Sequence, residues 1–146
     1  TGRRQLPVEE LFLDYYQSNI EPDELLTSLT IPKQPVNARS VYLKFLPKTQ
    51  DDYAAVSVAA LGQMKEGQCE DIKLALGSAG PTPIRATRVE SELKGKSITP
   101  KLLKLAAESV VEQIDPMDDS RGSSMYKKDM AIVFTRRALE QVLGVT

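Results

Sequence analysis

The apolar side chains of this chain change their spacing partway along it. Between Leu25 and Leu76 they recur at every second position, and from Ala86 to Val142 at every third or fourth. The first spacing belongs to strands with one buried face, the second to helices with a buried stripe. Strands followed by helices imply an α+β fold, with a small antiparallel sheet of three or four strands packed on a layer of three helices. At 146 residues, with 41% hydrophobic and 27% charged side chains, the chain has the length and composition of one globular domain, residues 1–146.

The segments follow from local signals. In "LPVEELFLDYY", Pro7 suits a first helical turn, Glu9 and Glu10 complement the helix dipole, and Val8, Leu11, Phe12 and Tyr15 keep helical spacing. A short helix is therefore expected there. "EPDELLTSLTIP" reads as the first strand, with Leu25, Thr27, Leu29 and Ile31 on one side and Leu26, Ser28 and Thr30 on the other. "ARSVYLKFL" reads as the second, alternating Val41, Leu43 and Phe45 against Tyr42 and Lys44. "DDYAAVSVAALGQM" admits helix or strand by periodicity alone. It is read as a strand that pairs with "CEDIKLALGSAG" in a hairpin, with Gly62 and Gly67 bracketing a turn.

Three helices are expected afterwards. "IRATRVESELKG" carries Ala86, Val89 and Leu93 on one face and stops at Gly95. Thr99 and Pro100 open the next, with Leu103, Ala106, Ala107, Val110 and Val111 buried and Pro116 beyond its end. The last is expected to bury Tyr126, Met130, Val133, Phe134, Ala138 and Val142, with Lys127–Lys128 and Arg136–Arg137 on its solvated side.

The stretch "DDSRGSSMYKKDM", residues 118 to 130, admits two readings. Asp118, Asp119 and Ser120 can form a turn in which Gly122 takes an unusual backbone angle and Ser123 or Ser124 caps the last helix. The helix N-terminus beside Arg121 could instead hold a phosphate. Two aspartates directly in front repel an anion, which favours the cap.

Composition narrows the chemistry. The formal charge is −1 with both signs spread along the chain, so no broad basic surface for nucleic acid is expected. There is no histidine, which removes the commonest general base and the commonest metal ligand. Cys69 is the single cysteine; it cannot form an internal disulfide, which fits a reducing, cytoplasmic compartment. Its neighbours Glu70 and Asp71 favour an inert thiol over a nucleophile. Neither a catalytic pair nor a metal site can be assembled from these residues. No apolar run approaches the roughly 18 residues of a membrane span. The chain begins at Thr1 rather than Met, as expected of a processed chain or a piece of something longer.

Five stretches occur in a recognisable order: "GRRQLPVEELF", "ELLTSLTIP", "YLKFLPKTQDDYAAVSVAA", "IKLALGSAGPTPIRATRVESELKGK" and "DDSRGSSMYKKDMAIVFTRRAL". As a set they resemble the C-terminal domain of the FAD-binding medium subunit of the molybdenum hydroxylases, the group of carbon monoxide dehydrogenase and xanthine dehydrogenase. The resemblance implies a place in an oxidoreductase. Electrons pass from molybdopterin on a large subunit through iron–sulfur clusters on a small one to FAD, and from there to an acceptor. It also implies that most of the FAD is held by a preceding FAD-binding domain, whose tandem-glycine loops are absent from this sequence. The nearest candidate, "LGSAGPTP", reads as a strand end.

By the same resemblance, an apolar residue on the first strand and a lysine on the second approach the flavin ring, and these match Leu26 and Lys44. An ammonium there would stabilise the negative charge that the ring gains on reduction, and an apolar side chain would exclude water. The "PKTQDD" loop has Lys48 followed by Thr49 where many relatives have two arginines, and Tyr126 precedes Lys127 where arginine is common. The rival expectation is a stand-alone dimerisation or protein-interaction module that uses the same α+β shape without flavin.

Overall fold

The computed structural model describes residues 2–47 and 53–144. Its centre is a four-stranded antiparallel sheet in the order β3-β4-β5-β6, formed by Ala38–Phe45, Val56–Lys65, Gln68–Gly77 and Ile84–Arg85. Helices α1 (Thr87–Leu93), α2 (Pro100–Glu108) and α3 (Ser124–Leu143) cover one face. Ahead of them lies a two-stranded hairpin of β1 (Phe12–Asp14) and β2 (Gln17–Ser18). The fold is α+β, as expected.

Alternation decides the two faces of the large sheet. Val56, Val58 and Ala60 of β4 and Ile72, Leu74 and Leu76 of β5 are buried beneath the helices together with Val89, Leu93, Leu103 and Leu139. Each fully buried side chain of this size contributes about 1.5–3 kcal/mol. Their strand neighbours Ser40, Tyr42, Lys44, Ala59, Lys73 and Ala75 point the other way, onto a face that no helix covers.

The β4–β5 turn is a two-residue connection, Glu66 and Gly67, both with positive φ. That is the turn whose twist suits a right-handed hairpin. Gly62 does not help to make the turn as the sequence suggested. It lies inside β4, where a Cβ would stand 3.0 Å from both Leu143 Cδ2 and Val142 Cγ2. It lets α3 approach the sheet closely.

The helices start where the sequence places them. Thr99 Oγ1 accepts from Leu102 N–H at 3.2 Å with Pro100 in the first turn, and Ser123 Oγ accepts from Tyr126 N–H at 3.2 Å. Of the two serine caps the sequence left open, Ser123 is the one used, while Asp118 Oδ1 accepts from Ser124 N–H. Gly144 closes α3 in the left-handed conformation.

Three expectations are corrected. The opening helix is a single 3-10 turn, Val8–Glu10, followed by the β1–β2 hairpin; the apolar side chains there have no core to face, and none is buried. The segment around Leu25–Ile31 is not a strand of the sheet, which ends at β3. Finally, α3 buries Lys127, Ala131, Thr135, Ala138, Leu139 and Val142, whereas Tyr126 is exposed and Met130, Val133 and Phe134 are half-buried. Ala131, Thr135 and Ala138 share the buried stripe with Lys127, Leu139 and Val142, and the four larger side chains expected there fall beside it.

Candidate functional site

Lys44 stands one residue before the end of β3, opposite Ser57 of β4. The pleat sends it to the uncovered face with Tyr42, two residues back and 63% exposed. Among the described residues it has no ion-pair or hydrogen-bond partner. Its support comes from behind. Phe45, next in the strand, points toward the helices and meets Phe134 at 5.2 Å and Tyr126 at 5.9 Å between ring centroids. Backing of this kind holds the strand end that carries the ammonium.

Leu26 lies on the extended arm before β3 and is 60% exposed. Among the described residues no hydrogen bond or ion pair ties residues 25–33 to Lys44 or to the sheet. The two residues thus sit on separate segments, both open to solvent. Lys48 and Thr49 of the "PKTQDD" loop lie outside the described residues.

The glycines of "LGSAG" do not shape a phosphate cradle. A Cβ on Gly77 would come within 2.6 Å of Ser57 Oγ, and one on Gly80 within 2.8 Å of Ile84 Cδ1. Their space is filled by the chain's own side chains. On the uncovered face is instead a shallow concavity of about 440 Å³, lined by Tyr42, Ala59, Leu61, Lys73, Ala75 and Arg85 among others. Arg85 is already committed to Glu90 at 2.8 Å, and Glu90 in turn accepts from Leu74 N–H. The cations lining this concavity are Lys73 and Arg85; Lys44, on the same face of the sheet, is not part of its lining.

One cluster was invisible in the sequence. Lys127, read as solvated, is 3% exposed; its Nζ lies 2.8 Å from Asp119 Oδ2 and donates to Met117 O at 2.8 Å. Burial alone would raise the Asp119 pKa, but the hydrogen bond from Lys127 and that from Arg121 N–H outweigh it and leave the carboxyl below its usual range. The Arg121 guanidinium lies 5.3 Å over the Tyr53 ring. Asp119 lies ahead of α3, and the turn at 119–122 folds it back onto Lys127 in the helix's first turn. Cys69 is fully buried, and burial first, Asp71 second, push its thiol up to about 11. No group of metal-binding side chains is gathered among the described residues.

The architecture defines the class: an α+β domain with helices on one side of its sheet and, on the other, a face that no helix covers. The chain belongs to the CO dehydrogenase flavoprotein C-terminal domain family, whose model matches residues 41–142. It is 34% identical over 142 residues to the glyceraldehyde dehydrogenase medium chain of Sulfolobus acidocaldarius, covering 97% of this chain and 50% of that one. It is 24% identical to the xanthine dehydrogenase FAD-binding subunit of Escherichia coli O157:H7, over 98% of this chain and 49% of the relative. A solved carbon monoxide dehydrogenase from Hydrogenophaga pseudoflava, lacking the Mo-pyranopterin moiety of its molybdenum cofactor, superposes with a TM-score of 0.93 at 30% identity. That match covers 98% of this chain and 50% of the other. The chain thus spans about half the length of these relatives. The family expected from the sequence motifs is the family found.

Proposed function

We propose that this chain is the C-terminal domain of the FAD subunit of a cytoplasmic molybdenum hydroxylase, following an FAD-anchoring domain. Its uncovered sheet face then borders the flavin. The observation that carries this reading is the match of residues 41–142 to the flavoprotein domain, a span that contains Lys44 on that face.

When bound, FAD supplies the redox chemistry that links iron–sulfur clusters on a small subunit, fed from molybdopterin on a large one, to an electron acceptor. This chain's residues contribute surroundings. Lys44 presents a fixed positive charge where the ring's pyrimidine edge gathers negative charge, and no competing carboxylate neutralises it among the described residues. Leu26 excludes water from the ring. The pyrophosphate and adenosine are held elsewhere, since Gly77 and Gly80 are occupied by Ser57 and Ile84.

Replacing Lys44 with Met in the complete subunit tests the charge. The flavin potential is expected to fall by roughly 30 mV, equivalent to about 1.4 kcal/mol for a two-electron couple. A potential and an FAD affinity both unchanged would remove Lys44 from the site.

A further inference from the structure

The end of the sheet that carries Lys44 holds a second polar group, and packing alone does not account for it. Among the described residues three polar side chains are buried: Lys127, Thr135 and Ser57, the last 7% exposed. Lys127 is paired with Asp119, and Thr135 Oγ1 is sealed in the core. Ser57 differs from both. Its strand neighbours Val56 and Val58 face the helices, so the pleat turns Ser57 to the uncovered face. No hydrogen bond reaches its Oγ among the described residues, yet, unlike Thr135 Oγ1, that oxygen is not sealed from solvent. A nearly desolvated hydroxyl without a partner is unfavourable, and folded proteins keep few of them.

The neighbouring strands make a slot around it. Lys44 stands directly opposite on β3, and Gly77 directly opposite on β5. Gly77 brings no side chain, and a Cβ there would come within 2.6 Å of Ser57 Oγ. Any larger residue would crowd the hydroxyl. Immediately afterwards Ser78 adopts the left-handed backbone, with a φ of 57°. Ala79 is then fully buried, and its carbonyl accepts from Asp115 N–H at 2.9 Å. The chain thereby leaves the sheet toward the helix side and keeps Gly77 bare on the other. A serine held in the left-handed region is a local strain, of the kind that gathers at ligand sites.

We infer that Ser57 is a second positioning residue for the flavin ring. Its hydroxyl donates to a carbonyl oxygen on the pyrimidine edge, beside the Lys44 ammonium, through the gap that Gly77 leaves open. The inference deepens the flavin reading and rests on it. Directly opposed side chains of an antiparallel pair stand about 4.5–5.5 Å apart at Cβ, within the span of one such edge. The two groups divide the work. Lys44 supplies a mobile point charge, whereas a hydroxyl on a short side chain is a directional donor that fixes the edge in one orientation. Both bonds strengthen as the ring becomes negative on reduction.

Ser57→Ala in the complete FAD subunit tests this, with Lys44→Met measured alongside. Ser57→Ala is expected to weaken FAD binding roughly five- to tenfold, the scale of one hydrogen bond. It should also lower the flavin potential, in the same direction as Lys44→Met, and raise a flavin carbonyl stretching frequency in the infrared difference spectrum. Gly77→Ala leaves the hydroxyl in place but crowds it, and should reproduce the carbonyl shift. The melting temperature of the chain by itself should not fall with Ser57→Ala, because the hydroxyl has no partner there to lose. A lowered melting temperature with an unmoved carbonyl stretch makes Ser57 structural and overturns the inference. Unchanged affinity, potential and carbonyl stretch in Ser57→Ala, while Lys44→Met still lowers the potential, also overturn it and leave the flavin reading standing. If neither substitution changes affinity or potential, both readings fall.

Discussion

At the scale of single residues, the ion pair at the start of α3 contributes to how the fold responds to acid. The buried Lys127 ammonium depends on Asp119, whose side chain keeps 30% exposure. Removing one member of a buried pair strands the other charge at about 3–5 kcal/mol, and the partial exposure of Asp119 brings the expected cost of Asp119→Asn to about 2 kcal/mol. The sign of the pH dependence follows from the depressed carboxyl. Its contribution is fully present above the unfolded value of 3.8 and disappears as pH falls through the lower folded value. Chemical denaturation should show wild type and Asp119→Asn separated at pH 7 and converging below pH 4. Thr135 gives the opposite case. It is fully buried, and among the described residues its Oγ1 has no hydrogen-bond partner. Thr135→Val removes an unpaired hydroxyl at nearly constant volume and should stabilise by about 1 kcal/mol in the same measurement.

At the scale of elements, packing distance explains both what the sequence made legible and what it hid. Strands β3, β4 and β5 were readable because each alternates over eight or more residues against one core. The helix starts were readable because Thr99, Pro100 and Ser123 are local signals that act within one turn. The buried stripe of α3 was not, because hydropathy ranks Tyr126 and Met130 above Lys127 and Thr135. It carries no information about which side of the helix the sheet lies against. Lys44 was legible as an outward residue of a strand, but its role came from resemblance alone. Gly62 marks the close approach. Gly62→Val would force side-chain carbons into Val142 and Leu143, whose nearest atoms already stand 3.0 Å from a single added Cβ. Overpacking of this kind costs about 1–3 kcal/mol. A lowered urea midpoint with unchanged slope is expected, and an unchanged midpoint would show that α3 can retreat from the sheet freely.

At the scale of the whole molecule, the chain divides into a part that buries side chains and a part that does not. Every buried residue among those described lies from Ala55 onward, in the sheet, its three helices and the segments that join them. The arm before residue 35 is held by its own Arg4–Glu24 clamp and short hairpin, and among the described residues its links to the domain are few and polar: Gln34 donates to Ala38 O and accepts from Ser40 Oγ, Pro35 O accepts from Ala38 N–H, Val36 O accepts from Gln63, and Glu9 interacts electrostatically with Arg85. Stability follows buried apolar area, and exposed polar contacts contribute at most about 1 kcal/mol each. Deleting residues 1–34 should therefore shift the melting temperature of the chain by no more than a few degrees and leave a single cooperative calorimetric transition. The same deletion in the complete FAD subunit should behave differently, because there the apolar side chains of the arm are expected to be covered. A loss of cooperativity in the subunit, set against a silent deletion in the isolated domain, would locate the arm's contribution in the contact between the two halves. A large drop in the isolated chain would instead make the arm part of this domain's own core.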